Sequence, residues 1–397
     1  MGLWTGGGLR VLELGSGISA AFGARLLADF GADVIKIEAP GLGDATRRAG
    51  PFLRDVPDAE TSGLFLYLNF NKRGVTLDVT TPSGAALFAR LLEQADVLIE
   101  NLGAGGLAAL PLPPGAIPER VIVCSISAYG QDGPKAEYAG SELSAYASGG
   151  MMYITGEGER EPLKQALNQA EHLSGVNAAA AILAASIRQR RRDVGERIDI
   201  SQQETVAGTI FPAFTNYTHT GAVQGRGRGD VPRLVNSMPM EAGDGWFLPA
   251  YAGIGTWWES FAQFVGAPEL AEEPYLSPAG RREHAAAIDA AVTPKFKERT
   301  KADIFHTGQE WGMTFTALQT AQDVVESAQL VERAFFVEQD HPVAGRVLMP
   351  GMVPRASEID RAPRRPAPLL GEHNAEVFRE VGLTPDELQA LTGAEIV

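Results

Sequence analysis

The chain has 397 residues, which is enough for two or three domains and at least one large core. Its 34 lysines and arginines are outnumbered by 49 aspartates and glutamates, and the formal charge of −15 disfavours nucleic acids and membrane surfaces as partners. A single cysteine, Cys124, allows no internal disulfide, and the six histidines form no zinc-binding motif. The first residues do not resemble a signal peptide, and the apolar runs are too short to span a membrane. We therefore expect a soluble cytoplasmic protein without a metal site.

From residue 9 onward, short β-branched runs alternate with longer segments of helical period, a pattern typical of βα repeats around a parallel sheet. Strands are predicted over residues 9–14, 34–38, 75–78, 97–100 and 121–126. Helices are predicted over residues 19–31, where a glycine ends the helix, and over 82–94, where a proline begins it. The predicted fold class is α/β, with at least five strands in the sheet.

Residues 141–192 are predicted to be mostly helical, and the alanine-rich helix at their end finishes in a basic run at 188–192. We interpret this run as cations at the negative end of the helix dipole, with a nucleic-acid patch as the alternative. Gly and Arg alternate after residue 220, aromatic residues cluster over 240–320, and Pro-rich segments follow residue 340. The predicted domains are a large domain (1–200), a linker (201–235), a small domain (236–320) and a return segment (321–397) that completes the large domain.

The segment VLELGSGISA, residues 11–20, places Gly15 and Gly17 between the first predicted strand and the first predicted helix. Glycines at such a turn let a ligand approach the backbone, and the helix start offers free N–H groups to an anion. Close packing of helix on strand explains the same glycines without any ligand. A dinucleotide, a methyl donor and CoA all remain open here, because Ala20 stands where the third glycine of the dinucleotide motif belongs.

Seven segments of the chain, considered together and in their order, are specific for one protein family. They are ARLLADFGADVIKIEAPGLGDATRR (24–48), LNFNKRGVTLDV (68–79), ADVLIENL (95–102), VIVCSISAYGQDGP (121–134), GERIDISQQE (195–204), HPVAGRVLMPGMVPR (341–355) and APLLGEHNAEVF (367–378). Their combination closely resembles the class III CoA-transferases, the CaiB/BaiF group. This group includes formyl-CoA, carnitine and benzylsuccinate CoA-transferases and the 2-methylacyl-CoA racemases.

The resemblance implies a Rossmann-like large domain, a smaller α+β domain and two protomers interlocked like rings, in a homodimer or in a heterodimer with a related chain. It also implies that acyl-CoA and a carboxylic acid are the substrates and that no cofactor is permanently bound. It places CoA against the glycine turn near Ile18 and Ser19. In the matching segments, the residues assigned to CoA are Arg47, Arg48, Lys72, Arg73, Asn101 and Leu102. The four cations suit the CoA phosphates, although solvated surface charges are the alternative interpretation.

Family members that transfer CoA carry a catalytic aspartate four residues before a glycine at the start of an alanine-rich helix. Gly175 matches that glycine here, and Glu171 stands in place of the aspartate. The resemblance therefore implies that Glu171 is a nucleophile that forms a mixed anhydride and then a glutamyl-CoA thioester. The alternative is a carboxylate that only interacts with the helix dipole. Glu142 matches an acid that faces the nucleophile in formyl-CoA transferases.

Departures from the family pattern leave a second hypothesis open. Besides the replaced aspartate, Gly103 stands where many relatives carry a CoA-binding arginine, and the glycine run over the active site has no clear equivalent. Ser141 replaces the histidine base of the racemases, which disfavours racemisation. We expect an acyl-CoA:carboxylate CoA-transferase. The alternative is a non-catalytic or CoA-binding subunit of a heteromeric, benzylsuccinate-type enzyme whose partner chain supplies the aspartate.

Overall fold

The computed structural model describes residues 8–226, 238–250, 257–357, 359 and 365–397. Packing divides the chain into two compact units. The large unit comprises Met1–Gly156, Arg160–Gly225 and Arg333–Val397, and the small unit comprises Glu157–Glu159 and Arg226–Glu332. The large unit is therefore built from both ends of the chain, and the small unit extends beyond residue 320, where its end was expected.

Six parallel strands form the central sheet of the large unit. They are β1 (Arg10–Leu14), β2 (Asp33–Glu38), β3 (Lys72–Thr76), β4 (Val97–Glu100), β5 (Ile122–Ser127) and β6 (Arg197–Ser201). Their order is β3-β2-β1-β4-β5-β6, so the order reverses between β1 and β4. In such sheets, ligands bind outside the carboxyl ends of the strands at this reversal point. The predicted α/β class with a parallel sheet is confirmed.

Helices cover both faces of this sheet. The first seven are α1 (Ser19–Asp29), α2 (Gly63–Asn69), α3 (Pro82–Leu92), α4 (Glu142–Ser148), α5 (Gln169–Arg192), α6 (Gln202–Thr209) and α7 (Phe211–Thr220). Successive residues of β1 point to opposite faces: Val11 packs in the cluster that contains α1 and α5, and Leu12 packs in the cluster that contains α3. Both side chains are fully buried, which is why the strands are continuously apolar.

The expected linker over 201–235 requires a correction in its first part, because residues 202–220 form α6 and α7. Ser201 caps α6 by accepting a hydrogen bond from the backbone N–H of Glu204. Gly221 ends α7 in the left-handed conformation, with φ of 74°. The Gly- and Arg-rich turn signal therefore starts only at this glycine, and residues 227–237 of the expected linker lie outside the described residues.

The small unit has its own sheet and core. Its strands β7 (Met240–Ala242), β8 (Gly245–Ala250) and β9 (Thr314–Ala317) pair antiparallel in the order β7-β8-β9. Its helices are α8 (Trp257–Phe264), α9 (Pro278–Glu283), α10 (Ala285–Lys297), α11 (Lys301–Glu310), α12 (Ala321–Val325) and α13 (Ala328–Glu332). Phe247, Phe261 and Phe296 are fully buried at the centre of its core, which accounts for the aromatic cluster of this region.

The last part of the chain returns to the large unit. A hairpin of β10 (Phe336–His341) and β11 (Gly345–Pro350) precedes α14 (Asn374–Glu380) and α15 (Pro385–Gly393). Beside β3, Asn374 Oδ1 accepts a hydrogen bond from Thr76 N at 2.9 Å, and His373 Nδ1 accepts one from Gly74 N at 3.2 Å. Because β3 is an edge strand, these contacts occupy backbone groups that would otherwise be open to another strand. None of the described helices is long and apolar enough to cross a membrane.

Candidate active site

The two acids expected at the site meet at the start of α5. Glu171 lies in the first turn of this helix, and no side chain of Asn168 caps its backbone. Glu142, in the first turn of α4, takes that role instead. Its Oε1 accepts a hydrogen bond from Ala170 N at 3.2 Å, and its Oε2 accepts one from Glu171 N at 3.0 Å. A carboxylate at a helix N-terminus satisfies N–H groups that have no partner within the helix.

The surroundings of the Glu171 carboxyl disfavour its ionised form. Burial raises the pKa of Glu171 above its ordinary value, and the nearby Glu142 carboxylate raises it further. Two groups oppose this shift: Asn168 Nδ2 donates to Glu171 Oε2 at 3.1 Å, and the Lys164 ammonium favours the carboxylate. The arrangement is a partly buried acid beside a second acid, a pattern that is common at catalytic sites.

Lys164 also belongs to this group of charged side chains, although it was not among the residues predicted from the sequence. Its Nζ lies 3.2 Å from Glu142 Oε1, donates to Gln165 O at 2.9 Å, and donates to Leu167 O. It therefore ties the segment before α5 to the acid that caps α5. The available signal is that Lys164 is the only lysine or arginine between residues 161 and 187, but nothing in that spacing shows which acid it meets.

The glycine turn after β1 is shaped by Asn101, which follows β4. Gly15 has φ of 139°, and a Cβ added to it would lie 1.8 Å from Asn101 Oδ1. That oxygen accepts a hydrogen bond from Ser16 N at 3.0 Å, and Asn101 Nδ2 donates to Ser16 O at 2.7 Å. Gly15 is thus required both by its backbone conformation and by a side chain of the chain itself.

Ile18 and Ser19 are placed at the start of α1, directly after this turn. Both side chains are buried, and no side chain caps the helix N-terminus. Asn101 Nδ2 also reaches Ser19 Oγ, at 3.2 Å. Leu102, the other residue expected at CoA after β4, exposes 37% of its surface, and its N–H donates to Glu100 Oε2 at 2.7 Å. These residues therefore come together at the reversal point of the sheet.

Close packing of α1 and α5 brings Glu171 to the same place. A Cβ added to Gly175 would lie 2.8 Å from Ser19 O and 2.9 Å from Gly23 N. One turn closer to the start of α5, the rings of His172 and Phe22 meet with centroids 4.8 Å apart. Residues four apart share one face of a helix. Glu171 therefore lies on the face of α5 that packs on α1, one turn before the contact with Ser19.

The four cations expected at CoA phosphates are not alike, because three of them are engaged by groups of the chain itself. Lys72 is fully buried, and its Nζ donates to Glu13 Oε2 at 2.7 Å, to Asn69 Oδ1 at 2.8 Å and to Ala21 O at 2.8 Å. An ammonium has three donors, so all of them are used inside the chain. Burial lowers the pKa of Lys72 to about 8, although Glu13 opposes this shift.

Arg47 and Arg73 are likewise engaged within the large unit. Arg47 is buried beneath the surface, where it forms ion pairs with Glu38 and Glu60. Arg73 pairs with three acids: Asp33, Glu376 and Glu380. Both cations therefore have carboxylates of the chain as partners, and those of Arg73 come partly from the far end of the sequence. Arg48, by contrast, is exposed and donates only to the backbone oxygen of Leu42 among the described contacts.

Comparison with known proteins decides the family. The sequence model of CoA-transferase family III matches residues 7–374. The chain belongs to CoA-transferase family III. Succinyl-CoA--D-citramalate CoA-transferase of Chloroflexus aurantiacus is 30% identical over 397 residues, which cover 98% of this chain and 97% of that protein. A CAIB/BAIF family protein from Brucella suis, a solved structure, is 30% identical with a TM-score of 0.83 and covers 94% of this chain and 98% of its own.

A third relative is named as a subunit. Subunit BbsE of succinyl-CoA:(R)-benzylsuccinate CoA-transferase from Thauera aromatica is 28% identical, and the match covers 96% of this chain and 95% of that protein. The predicted membership of family III and the prediction of a CoA-transferase are confirmed. Among the described residues, no group of three or more His, Cys, Asp or Glu side chains could hold a metal ion.

Proposed function

We propose that this family III protein is an acyl-CoA:carboxylate CoA-transferase in which Glu171 is the covalent nucleophile. The observation that carries the proposal is the placement of Glu171 on the α1-facing side of α5, one turn before the Gly175–Ser19 contact. A thioester whose CoA portion lies along the start of α1 would present its carbonyl beside this carboxylate. Helix starts and glycine turns at a sheet reversal point are common binding places for phosphate-containing ligands.

The first half of the reaction transfers CoA to the enzyme. The Glu171 carboxylate attacks the thioester carbonyl, the C–S bond breaks, and a mixed anhydride and CoA thiolate result. The thiolate then attacks the glutamyl carbonyl of the anhydride. This second step forms the glutamyl-CoA thioester and releases the first acid as its carboxylate. No proton, water or nucleotide is consumed in either step.

The second half reverses these steps with another acid. Its carboxylate attacks the glutamyl thioester and releases the CoA thiolate, which attacks the acyl carbonyl of the new anhydride. The new acyl-CoA leaves, and the Glu171 carboxylate is regenerated. In each attack a negative oxygen develops, and nearby N–H groups in a water-poor site stabilise it. Glu142 acts by fixing the first turn of α5, on which Glu171 stands.

The residues we assign to CoA are those at the reversal point of the sheet. Ile18 and Ser19 offer the backbone of the α1 start, Asn101 and Leu102 form the opposite wall, and Arg48 offers an exposed cation. We assign Arg47, Lys72 and Arg73 a structural role instead, because their donors are engaged by internal acids and backbone oxygens. A guanidinium or ammonium would have to break such pairs before it could bind a phosphate.

The test is covalent trapping. The purified protein is incubated with succinyl-CoA, which the names of several relatives contain, and then treated with hydroxylamine. A hydroxamate on the peptide that contains Glu171, found by mass spectrometry, is the expected result. Initial rates with an acceptor acid should show ping-pong kinetics. An enzyme that turns over while the Glu171 peptide stays unmodified would remove this residue from the mechanism.

Replacing Lys164 should change the pH dependence of trapping. Its cation stabilises the ionised form of Glu171, so the Lys164→Met variant raises the pKa of that carboxyl and leaves less carboxylate at low pH. We expect labelling to be about twofold to threefold slower near pH 5 and to lose less near pH 8. Lys164→Arg should restore most of the rate. Lys295→Met is the control, since Lys295 also donates to a backbone oxygen, at 2.7 Å, but lies in the small unit.

A non-catalytic subunit is the second candidate, favoured by the named subunit among the relatives. The exposed aromatic side chains of α7, Phe211, Phe214 and Tyr217, suit contact with a second chain, either a copy or a related protein. Light scattering after size exclusion and activity of the chain alone separate the candidates. We expect a homodimer in which Glu171 is labelled in the absence of any related chain. Labelling only of an aspartate on a copurified related chain would establish the subunit alternative.

A further inference from the structure

A network of four charged side chains lies beneath the glycine turn. It consists of Glu13 on β1, Lys36 on β2, Lys72 on β3 and Asp44 in the loop after β2. Each exposes 2% of its surface or less. Lys36 Nζ lies 2.6 Å from Glu13 Oε1 and 2.7 Å from Asp44 Oδ2, and Lys72 occupies the second oxygen of Glu13 at 2.7 Å. The negative charges of the two carboxylates equal the positive charges of the two ammonium groups.

Stability alone does not account for such a network. A buried ion pair usually contributes no more than apolar side chains of the same volume would, because each charge loses its hydration. Glu13 and Lys36 are nevertheless direct partners in the register of β1 and β2, so the network is built into the sheet itself. Buried polar groups of this kind can specify one local arrangement of the backbone, and their contacts show which segment is specified here.

Asp44 connects the network to the glycine turn. Its Oδ1 accepts hydrogen bonds from Thr46 N at 2.7 Å, from Thr46 Oγ1 at 2.7 Å and from Gly17 N at 3.2 Å. A second bond runs the other way, from Ala45 N to Ser16 Oγ at 2.8 Å. Burial favours the neutral acid, but Lys36 and Thr46 outweigh it and lower the pKa of Asp44 to about 2. The turn is thus held by Asp44 on one side and by Asn101 on the other.

We propose that Asp44, oriented by Lys36 and Glu13, is a positioning residue that sets the glycine turn for binding of the CoA portion of the substrate. This inference rests on the proposed function, because it assumes that CoA binds at the start of α1. Asp44 acts through the N–H of Gly17, one residue before Ile18. Asp44 therefore fixes the position of the backbone at the start of α1. Its side chain is buried too deeply to touch the substrate itself.

The test compares CoA binding with the rate of the first half-reaction. In the Asp44→Asn variant, the charged acceptor of the Gly17 N–H is lost, and we expect the Kd for CoA, measured by titration calorimetry, to rise about tenfold. The succinyl-CoA concentration that gives half-maximal labelling should rise equally, while the maximal labelling rate stays within about twofold. Should Asp44→Asn fold poorly, the double variant Lys36→Met/Asp44→Asn keeps the network neutral. It should show the same result, a higher Kd for CoA with a nearly unchanged maximal labelling rate.

Asp96→Asn is a matched control. Asp96 Oδ2 also accepts a backbone N–H, that of Arg10 at 2.8 Å, but at the opposite end of β1. This variant should leave the Kd for CoA unchanged. A folded Asp44→Asn protein with unchanged Kd, or one that loses maximal rate without a change in Kd, would overturn the inference. Failure of the wild-type protein to bind CoA at all would instead contradict the proposed function, so the two failures are distinguishable.

Discussion

Glu171→Gln should abolish covalent trapping and lower CoA transfer by at least about a thousandfold. The amide has nearly the same shape as the acid but lacks the anionic oxygen that attacks the thioester, and no anhydride can form without it. The fold should survive, since Glu171 N is still available to Glu142 and the side chain is only partly buried. Trapping with succinyl-CoA and hydroxylamine, together with a thermal unfolding curve, measures both expectations.

Two variants make this result interpretable. Glu204→Gln changes the same residue type in the first turn of another helix, α6, and should leave the labelling rate unchanged. Glu171→Asp keeps the carboxylate but shortens its reach, so labelling at position 171 should persist at a lower rate, by up to about a hundredfold. Full transfer activity in Glu171→Gln would leave Glu171 as a helix-terminal carboxylate and require another nucleophile.

Gly175→Ala should damage both stability and catalysis, because there is no room for one methyl group between α1 and α5. The new Cβ would meet Ser19 O at 2.8 Å and Gly23 N at 2.9 Å, and both are backbone atoms that cannot rotate away. Separating the helices should lower the free energy of unfolding by about 1–3 kcal/mol. A displacement of Glu171 of about 1 Å should slow labelling by about a hundredfold.

The chain offers a matched control for this substitution. Gly208 is also helical, in α6, but a Cβ added there meets nothing within 4 Å. Gly208→Ala should therefore stabilise the protein slightly, by about 0.5–1 kcal/mol, through the better helix propensity of alanine. Urea unfolding and labelling rates of both variants provide the comparison. A Gly175→Ala protein that behaves like Gly208→Ala would mean that the helices adjust without moving Glu171.

The sheet was largely predictable because its strands are buried on both faces and are therefore continuously apolar. The prediction over 97–100 coincides with β4, but the prediction over 75–78 missed the start of β3 at Lys72. Two charged residues open that strand, and charged residues are seldom buried. They are neutralised by acids far away in the sequence: Glu13 for Lys72, and Asp33, Glu376 and Glu380 for Arg73.

Less of the site could be foreseen. Glu171 and Glu142 came from the resemblance to known transferases, and the structure places them in contact across 29 residues. The same resemblance also assigned phosphate-binding roles to Lys72, Arg73 and Arg47, whose internal partners no spacing reveals. Lys164 and Asp44 gave no specific signal, because a lone cation or acid acquires its role only from the residues that packing brings to it.

The contacts between β3 and the end of the chain have a consequence during synthesis. Asn374 and His373 cover the backbone of Thr76 and Gly74, and Asn374 follows Thr76 by 298 residues. On the ribosome, this border of the sheet therefore stays uncovered until nearly the whole polypeptide has been translated. Exposed borders of this kind pair readily with other strands. A premature stop codon between residues 202 and 373 would thus yield a product prone to aggregate, even though every strand of the main sheet is present.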